Sequence, residues 1–161
     1  MRAILAGLMA LVLTACNPVA VMDDTSGAIE QFHDHWNAGN ADAIWNATHR
    51  DFREGPSKEE FRAAMAQFAD ILGDVESSER DGFNINTENG VTTTVITMDT
   101  QFANGEGIEQ FTYRTQGDEQ RLIYYYVESE LLNNVKPDDI DGADYFELDD
   151  AQADPVEKPA G

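Results

Sequence analysis

The sequence predicts a single α+β domain, in which N-terminal helices pack on a curved, four-stranded antiparallel sheet. Apolar residues recur at helical spacing from Ser26 to Gly73, and they alternate as in strands from there to about Leu132. The chain has 161 residues, of which 42% are hydrophobic, and this length and composition suit one packed core.

The first helix is predicted over residues 26–38. Thr25 or Ser26 can cap its N terminus, and Gly39 ends it. One face of this helix carries large side chains at the i, i+3, i+4, i+7 spacing of an amphipathic helix: Ile29, Phe32, His33 and Trp36.

Two further helices are predicted after it. The second covers residues 41–47 with Asn40 as its cap. The third follows a capping box formed by Ser57 and Glu60, and Gly73 ends it. Its apolar face consists of Phe61, Ala64, Met65, Phe68 and Leu72.

Four strands follow in the second half of the chain. Alternation begins near Phe83, and Asn89-Gly90 is a strong signal for a hairpin turn. The next three strands are predicted over residues 91–103, 108–115 and 120–132. In the last strand, alternation places Ile123, Tyr125, Val127 and Leu131 against the helices.

The first 16 residues indicate export and lipid attachment rather than structure. Met1-Arg2 is a short positive start, and the uncharged apolar run of residues 3–13 is too short to span a bilayer as a helix. Leu13-Thr14-Ala15-Cys16 resembles the lipobox of bacterial lipoproteins, which implies cleavage before Cys16 and lipid on that cysteine. A buried helix with an incidental cysteine is the alternative.

This resemblance implies a cell-envelope protein anchored to the membrane on the periplasmic side. Asn17 stands where an inner-membrane retention signal would have aspartate, so the outer membrane is favoured over the inner. The predicted organisation is a signal peptide over residues 1–15, a lipidated tether over 16–26, the α+β domain over 27–134 and an acidic, disordered tail over 135–161.

The composition excludes several functions. The chain carries 31 acidic and ten basic residues, a formal charge of −21, so its surface does not suit nucleic acid. A single cysteine excludes an internal disulfide framework and a thiolate cage for zinc.

The order of elements over residues 27–132 resembles the cystatin-like fold and, more narrowly, the nuclear-transport-factor-2-like superfamily. The features that carry the resemblance are Phe32 and Trp36, Phe52 in the following loop, the helix that ends at Gly73, and the last strand from Tyr124 to Ser129. The resemblance implies a cone-shaped domain. In enzymes of the superfamily, the cone holds an Asp/His or Asp/Tyr pair.

The residues that we considered for such chemistry are His33, Asp34, His35, His49, Asp51 and Asp99. His33 lies on the buried face of the first helix, and a general base is one interpretation of it. We favour a structural histidine that contacts a backbone carbonyl, since no second polar group has a spacing that forces convergence on it. Asp99 is predicted to point outward. No catalytic residue is therefore predicted.

No metal site or cofactor is predicted either. His33 and His35 lie on different faces of a helix, whereas zinc ligands on a helix need a spacing of three or four. The segment 139–142 resembles the centre of a calcium loop, but Pro137 and Leu148 stand where that loop needs acidic residues.

Two functions from different classes remain. The favoured one is a non-enzymatic lipoprotein that binds a small apolar ligand or another envelope protein. The alternative is a small isomerase or dehydratase with a polar pair inside the cone. The candidate pocket residues are His33, Trp36, Met98, Phe111, Tyr113 and Tyr125.

A candidate partner surface lies on the other face of the last strand, where alternation places Leu122, Tyr124 and Tyr126. Tyrosine is enriched at interfaces because its body is apolar and its tip polar. This surface would fit a homodimer or an envelope protein. The alternative is that the tyrosines only stiffen the strand by cross-strand pairing.

Overall fold

The computed structural model describes residues 18–133, with side chains from Met22 onward. The predicted signal peptide, Cys16 and the predicted acidic tail lie outside these residues. Three α-helices precede a four-stranded antiparallel sheet with strand order β1-β2-β3-β4, and this arrangement confirms the predicted α+β class.

The elements follow one another with short connections. The helices are α1 (Pro18–Asn37), α2 (Ala41–Ala47) and α3 (Lys58–Leu72), with a 3-10 turn at Phe52–Glu54 before α3. The strands are β1 (Val75–Glu88), β2 (Val91–Phe102), β3 (Gly105–Gln116) and β4 (Glu119–Glu128).

Helix α1 begins at Pro18 rather than at Ser26, so most of the segment predicted as a tether is helical. Proline suits the first position of a helix because the N–H that it lacks would have no partner there. Gly27 lies inside the helix without ending it. The helix does end where predicted, and Gly39 adopts a φ of 63° there.

The predicted caps of α2 and α3 are confirmed. Asn40 Oδ1 accepts a hydrogen bond from the Ala43 amide at 3.2 Å. Ser57 Oγ accepts one from the Glu60 amide at 3.2 Å, and the Glu60 carboxylate accepts one from the Ser57 amide at 2.7 Å. This backbone hydrogen bond lowers the pKa of Glu60 because it favours the charged carboxylate.

The first hairpin turns at Asn89 and Gly90, with φ of 52° and 78°, as its sequence predicts. Strand β1 is longer than the alternation indicated, since it begins at Val75 rather than near Phe83. Most residues of the added stretch are exposed, because β1 lies at the edge of the sheet. An exposed edge strand has little apolar alternation by which to recognise it.

The core lies between the helices and one face of the sheet, which we call the inner face. Aromatic rings meet at its centre, where the Phe32 ring centroid lies 4.6 Å from that of Tyr125 and 5.1 Å from that of Phe111. Trp36 packs against Phe102 at 5.8 Å. Helix α1 therefore crosses the middle strands of the sheet.

The face assignment in β4 was partly wrong. Tyr125 and Val127 are buried on the inner face as predicted, but Leu122, predicted on the outer face, is also buried there with 2% exposure. A β-bulge is the cause, because Tyr113 pairs with Leu122 while Thr112 pairs with Tyr124. Ile123 is the extra residue, and it reverses the alternation at that point.

We expect Leu122→Ala to lower the free energy of unfolding by about 2–5 kcal/mol, because it removes a fully buried side chain from the core. Ile123→Ala is the matched control and should cost about 1 kcal/mol, since Ile123 is only half-buried. Urea denaturation followed by circular dichroism measures both. A larger loss for Ile123→Ala would contradict the bulge.

Candidate functional site

Glu109 is a fully buried carboxyl group in the middle of the inner face, with 0% exposure. It precedes Phe111 and Tyr113 in the alternation of β3, so its side chain points into the core as theirs do. A charged group in such a place is strongly destabilising unless hydrogen-bond partners surround it. The stability of the folded domain therefore depends on the hydrogen-bond partners of Glu109.

Three side chains from three elements bind this carboxyl group. His33 Nε2 on α1 lies 2.8 Å from Glu109 Oε2, and Thr100 Oγ1 on β2 donates to the same oxygen at 2.5 Å. The Tyr125 hydroxyl on β4 donates to Oε1 at 2.8 Å. Ser78 extends the set, since its Oγ lies 2.8 Å from Thr100 Oγ1. We call these five residues the Glu109 network.

In its ionised state Glu109 only accepts hydrogen bonds, and that state sets the direction of each bond. His33 therefore carries a proton on Nε2, and Thr100 gives its proton to Glu109. Ser78 must then donate to Thr100. Burial, together with the charge of Glu109, raises the pKa of Tyr125 well above its usual value, so this hydroxyl keeps its proton as a donor.

A cleft of about 210 Å³ opens beside the network, between α1 and the inner face of β1 and β2. We call it the α1–β1 cleft. His33 and Ser78 belong both to its wall and to the Glu109 network. The rest of its lining consists of Ser26, Ile29, Glu30, Arg80, Ile96 and Met98.

The predicted pocket residues fall into two groups. His33 and Met98 line the α1–β1 cleft. The others are aromatic residues of the core, each at most 5% exposed: Trp36, Phe111, Tyr113 and Tyr125. Of this second group, Tyr125 reaches the site through its hydroxyl.

The interpretation of His33 as a residue bonded to a backbone carbonyl is wrong, because its partner is the carboxyl group of Glu109. Sequence reasoning missed Glu109 altogether. A signal was present, since Glu109 alternates with Phe111 and Tyr113, which were predicted to line a pocket. A glutamate at such a position indicates either that buried partners bind its carboxyl group or that the predicted face is wrong.

The other acidic and histidine candidates do not join the network. Asp34 is exposed, and Asp99 is exposed as predicted. His49 Nδ1 lies 3.2 Å from Asp51 Oδ1, but this pair is on the surface, where a hydrogen bond from Arg114 lowers the pKa of Asp51. His35 is half-buried and is not bonded to Glu109.

Tyr124 and Tyr126 of the predicted partner surface lie half-buried on the outer face of the sheet, while Leu122 does not belong to it. Burial, and then the neighbouring Tyr126, raise the pKa of Tyr124 to about 12. The two rings are therefore close neighbours on one surface, and the Tyr124 hydroxyl is neutral near neutral pH.

Comparison of the chain with known protein families and with curated proteins finds no match. Within residues 18–133, no helix is long and apolar enough to cross a membrane. In the same part of the chain, no three His, Cys, Asp or Glu side chains are grouped so that they could hold a metal ion.

We expect Tyr125→Phe to lower the free energy of unfolding by about 1.5–3 kcal/mol, because Glu109 Oε1 loses a donor inside the core. Tyr113→Phe is the matched control, since Tyr113 lies on the same face of the sheet and its hydroxyl makes no hydrogen bond to the described residues. Chemical denaturation at pH 7 compares the two variants. Equal losses would mean that the Tyr125 hydroxyl does not support Glu109.

Proposed function

We propose that this protein is a membrane-anchored periplasmic lipoprotein whose α+β domain binds a small ligand in the α1–β1 cleft without transforming it. The observation that supports binding is the cleft itself, because three apolar side chains face five polar or charged ones there. Ile29, Ile96 and Met98 supply the apolar part. Small molecules bind in proteins at concave sites that combine an apolar wall with polar groups.

The burial of Glu109 and of its partner Tyr125 favours binding over catalysis. Its two oxygens already accept three hydrogen bonds, and neither Glu109 nor Tyr125 is exposed. A general acid or base must reach the proton that it transfers, so neither group can act on a ligand in the cleft. The network instead holds His33 and Ser78 in fixed positions.

A small enzyme is the second candidate, and the His33–Glu109 pair is the observation that favours it. The imidazole of His33 lines the cleft, while Glu109 holds its Nε2 side. A carboxylate that orients a histidine in this way is a common arrangement for a general base. The resemblance to a superfamily that contains isomerases and dehydratases supports the same candidate.

The start of α1 at Pro18 adds a constraint to the proposed anchor. Only Asn17 separates Cys16 from the helix. Thr25 accepts a hydrogen bond from Gln120 of β4 at 2.8 Å, about 10 Å along the helix axis from Pro18. A lipid on Cys16 would therefore hold the sheet end at Gln120 close to the membrane surface.

The anchor also determines localisation, for which we propose the periplasmic face of the envelope, the outer membrane in particular. After removal of the signal peptide, nine basic residues face 31 acidic ones, so anionic lipid head groups repel the domain. The acyl chains must supply the membrane affinity. We also propose that Tyr124 and Tyr126 on the outer face of the sheet bind a second copy of this chain or an envelope protein.

We expect Cys16→Ser to abolish lipid attachment and to release the protein from the membrane fraction. Metabolic labelling with an alkyne fatty acid, followed by membrane fractionation, measures both effects. The wild-type chain is the reference within the same experiment. Equal labelling of the two chains would contradict the lipobox interpretation.

Ligand binding is tested by native mass spectrometry of the protein purified from envelope fractions. We expect a retained small molecule in the wild-type chain and its loss in Met98→Trp, because the larger side chain fills the cleft. Ile108→Trp is the matched control, since Ile108 is 48% exposed and lies on the outer face.

Two results would count against the binding proposal. Retention of the small molecule by Met98→Trp, or loss of it in both variants, would place the ligand outside the cleft. Conversion of the retained compound into a product, dependent on His33, would instead favour the enzyme.

A further inference from the structure

We propose that the ligand of the α1–β1 cleft is a small organic monocarboxylate with an apolar body, and that Arg80 binds its carboxylate. This inference rests on the proposed binding function and names the class of ligand. It is carried by the placement of Arg80, by the lack of an acidic partner for it among residues 22–133, and by the chemistry of the other cleft residues.

A β-bulge in β1 places Arg80 in the cleft. Phe83 pairs with Ile96, Gly82 with Thr97, and Arg80 with Met98, so Asp81 is an extra residue between the last two pairs. Without it, alternation from Phe83 would turn Arg80 to the outer face. The bulge therefore brings Arg80, and with it Ser78, onto the inner face beside α1.

Arg80 differs from the other basic residues of the described chain. Five of the six others lie within 4.0 Å of a carboxylate: Arg50, Lys58, Arg62, Arg114 and Arg121. Arg53 instead donates to Thr48. Arg80 has no ion pair or hydrogen bond to residues 22–133, although Glu30 lines the same cleft.

The cation–π contact of Arg80 leaves its N–H donors available. Its guanidinium carbon lies 5.6 Å from the centroid of the Phe83 ring, which is 59% exposed. Such a contact holds the guanidinium near the ring without using its N–H groups. A planar pair of free donors matches a carboxylate, which accepts two parallel hydrogen bonds from arginine.

The remaining polar groups of the cleft argue for a single negative charge. With Glu109 ionised, Ser78 gives its proton to Thr100 and Nε2 of His33 faces Glu109, so neither group donates to a ligand there. Ser26 adds one hydroxyl donor, while Glu30 is acidic. A second anionic group in the cleft would therefore meet a like charge, with no second lysine or arginine in the lining to offset it.

The rest of the ligand is small and apolar. A volume of about 210 Å³ is below the range of about 300–1,000 Å³ that drug-sized ligands occupy. Ile29, Ile96 and Met98 provide an apolar wall next to Arg80. Phenylacetate combines one carboxylate with an apolar body of this size, and phenylacetamide is its neutral counterpart.

The test is a titration of the full-length, ¹⁵N-labelled chain followed by NMR. We expect phenylacetate to bind with a Kd below about 1 mM and to shift amide signals of residues 26–33, 78–80 and 96–98. Phenylacetamide and the dianion phenylmalonate should each bind at least about tenfold more weakly, because one lacks the charge and the other carries a second one.

Arg80→Gln should weaken phenylacetate binding by about tenfold or more and leave phenylacetamide binding unchanged. Arg50→Gln is the matched control, since this arginine is highly exposed and lies outside the cleft. It should change neither affinity.

Three outcomes would overturn the inference, and they separate it from the binding function. If acid and amide bind the cleft equally, or if Arg80→Gln has no effect, the cleft is a binding site and its ligand is not selected by charge. If phenylmalonate binds as tightly as phenylacetate, the ligand is not limited to one charge. If no probe shifts the cleft residues, the carboxylate inference fails, and retention of a native ligand decides the binding function separately.

Discussion

The buried carboxyl group of Glu109 is the constraint on which the arrangement of this domain depends. Its partners come from α1, β2 and β4, while Glu109 itself lies on β3. A buried charge that loses one partner is strongly destabilising, commonly by about 3–5 kcal/mol. The four elements are therefore required to meet in one geometry, in which all three donors reach the carboxylate.

The apolar core does not impose such a geometry by itself. Burial of rings such as Phe32 and Phe111 stabilises the domain without regard to direction, and a helix that slid along the inner face would still bury them. The bond from His33 to Glu109 is directional and is lost if α1 shifts by a fraction of a turn. The network thus fixes where α1 lies, and with it the position of the cleft between α1 and the inner face of β1 and β2.

Much of the fold could be predicted from the sequence because the signals were local. The caps at Asn40 and Ser57 and the turn at Asn89-Gly90 depend on residues within a few positions of one another. The apolar face of α3 repeats over several turns, so each residue supports the assignment of the next. Such local signals were enough to predict which segments form helices, which form strands, and in what order they follow.

The site could not be predicted to the same extent, since it depends on contacts between distant residues. His33 and Glu109 are 76 residues apart, and nothing in the spacing of either indicates the other. The bulges at Asp81 and Ile123 reverse alternation at single positions, and neither sequence carries a glycine or proline signal at the bulged residue itself. Leu122 was therefore assigned to the wrong face, and Arg80 was not recognised as a residue of the inner face.

The strong negative charge of the chain bears on the kind of ligand that the cleft can select. A formal charge of −21 repels anions at long range, but in physiological salt this repulsion is screened beyond about 8 Å. Arg80 is exposed, so in the binding that we propose its attraction for an anion acts over a short range only. The acidic surface repels polyanions most, because the repulsion grows with their charge. Discrimination among small monoanions would then depend on the fit of their apolar part to Ile29, Ile96 and Met98.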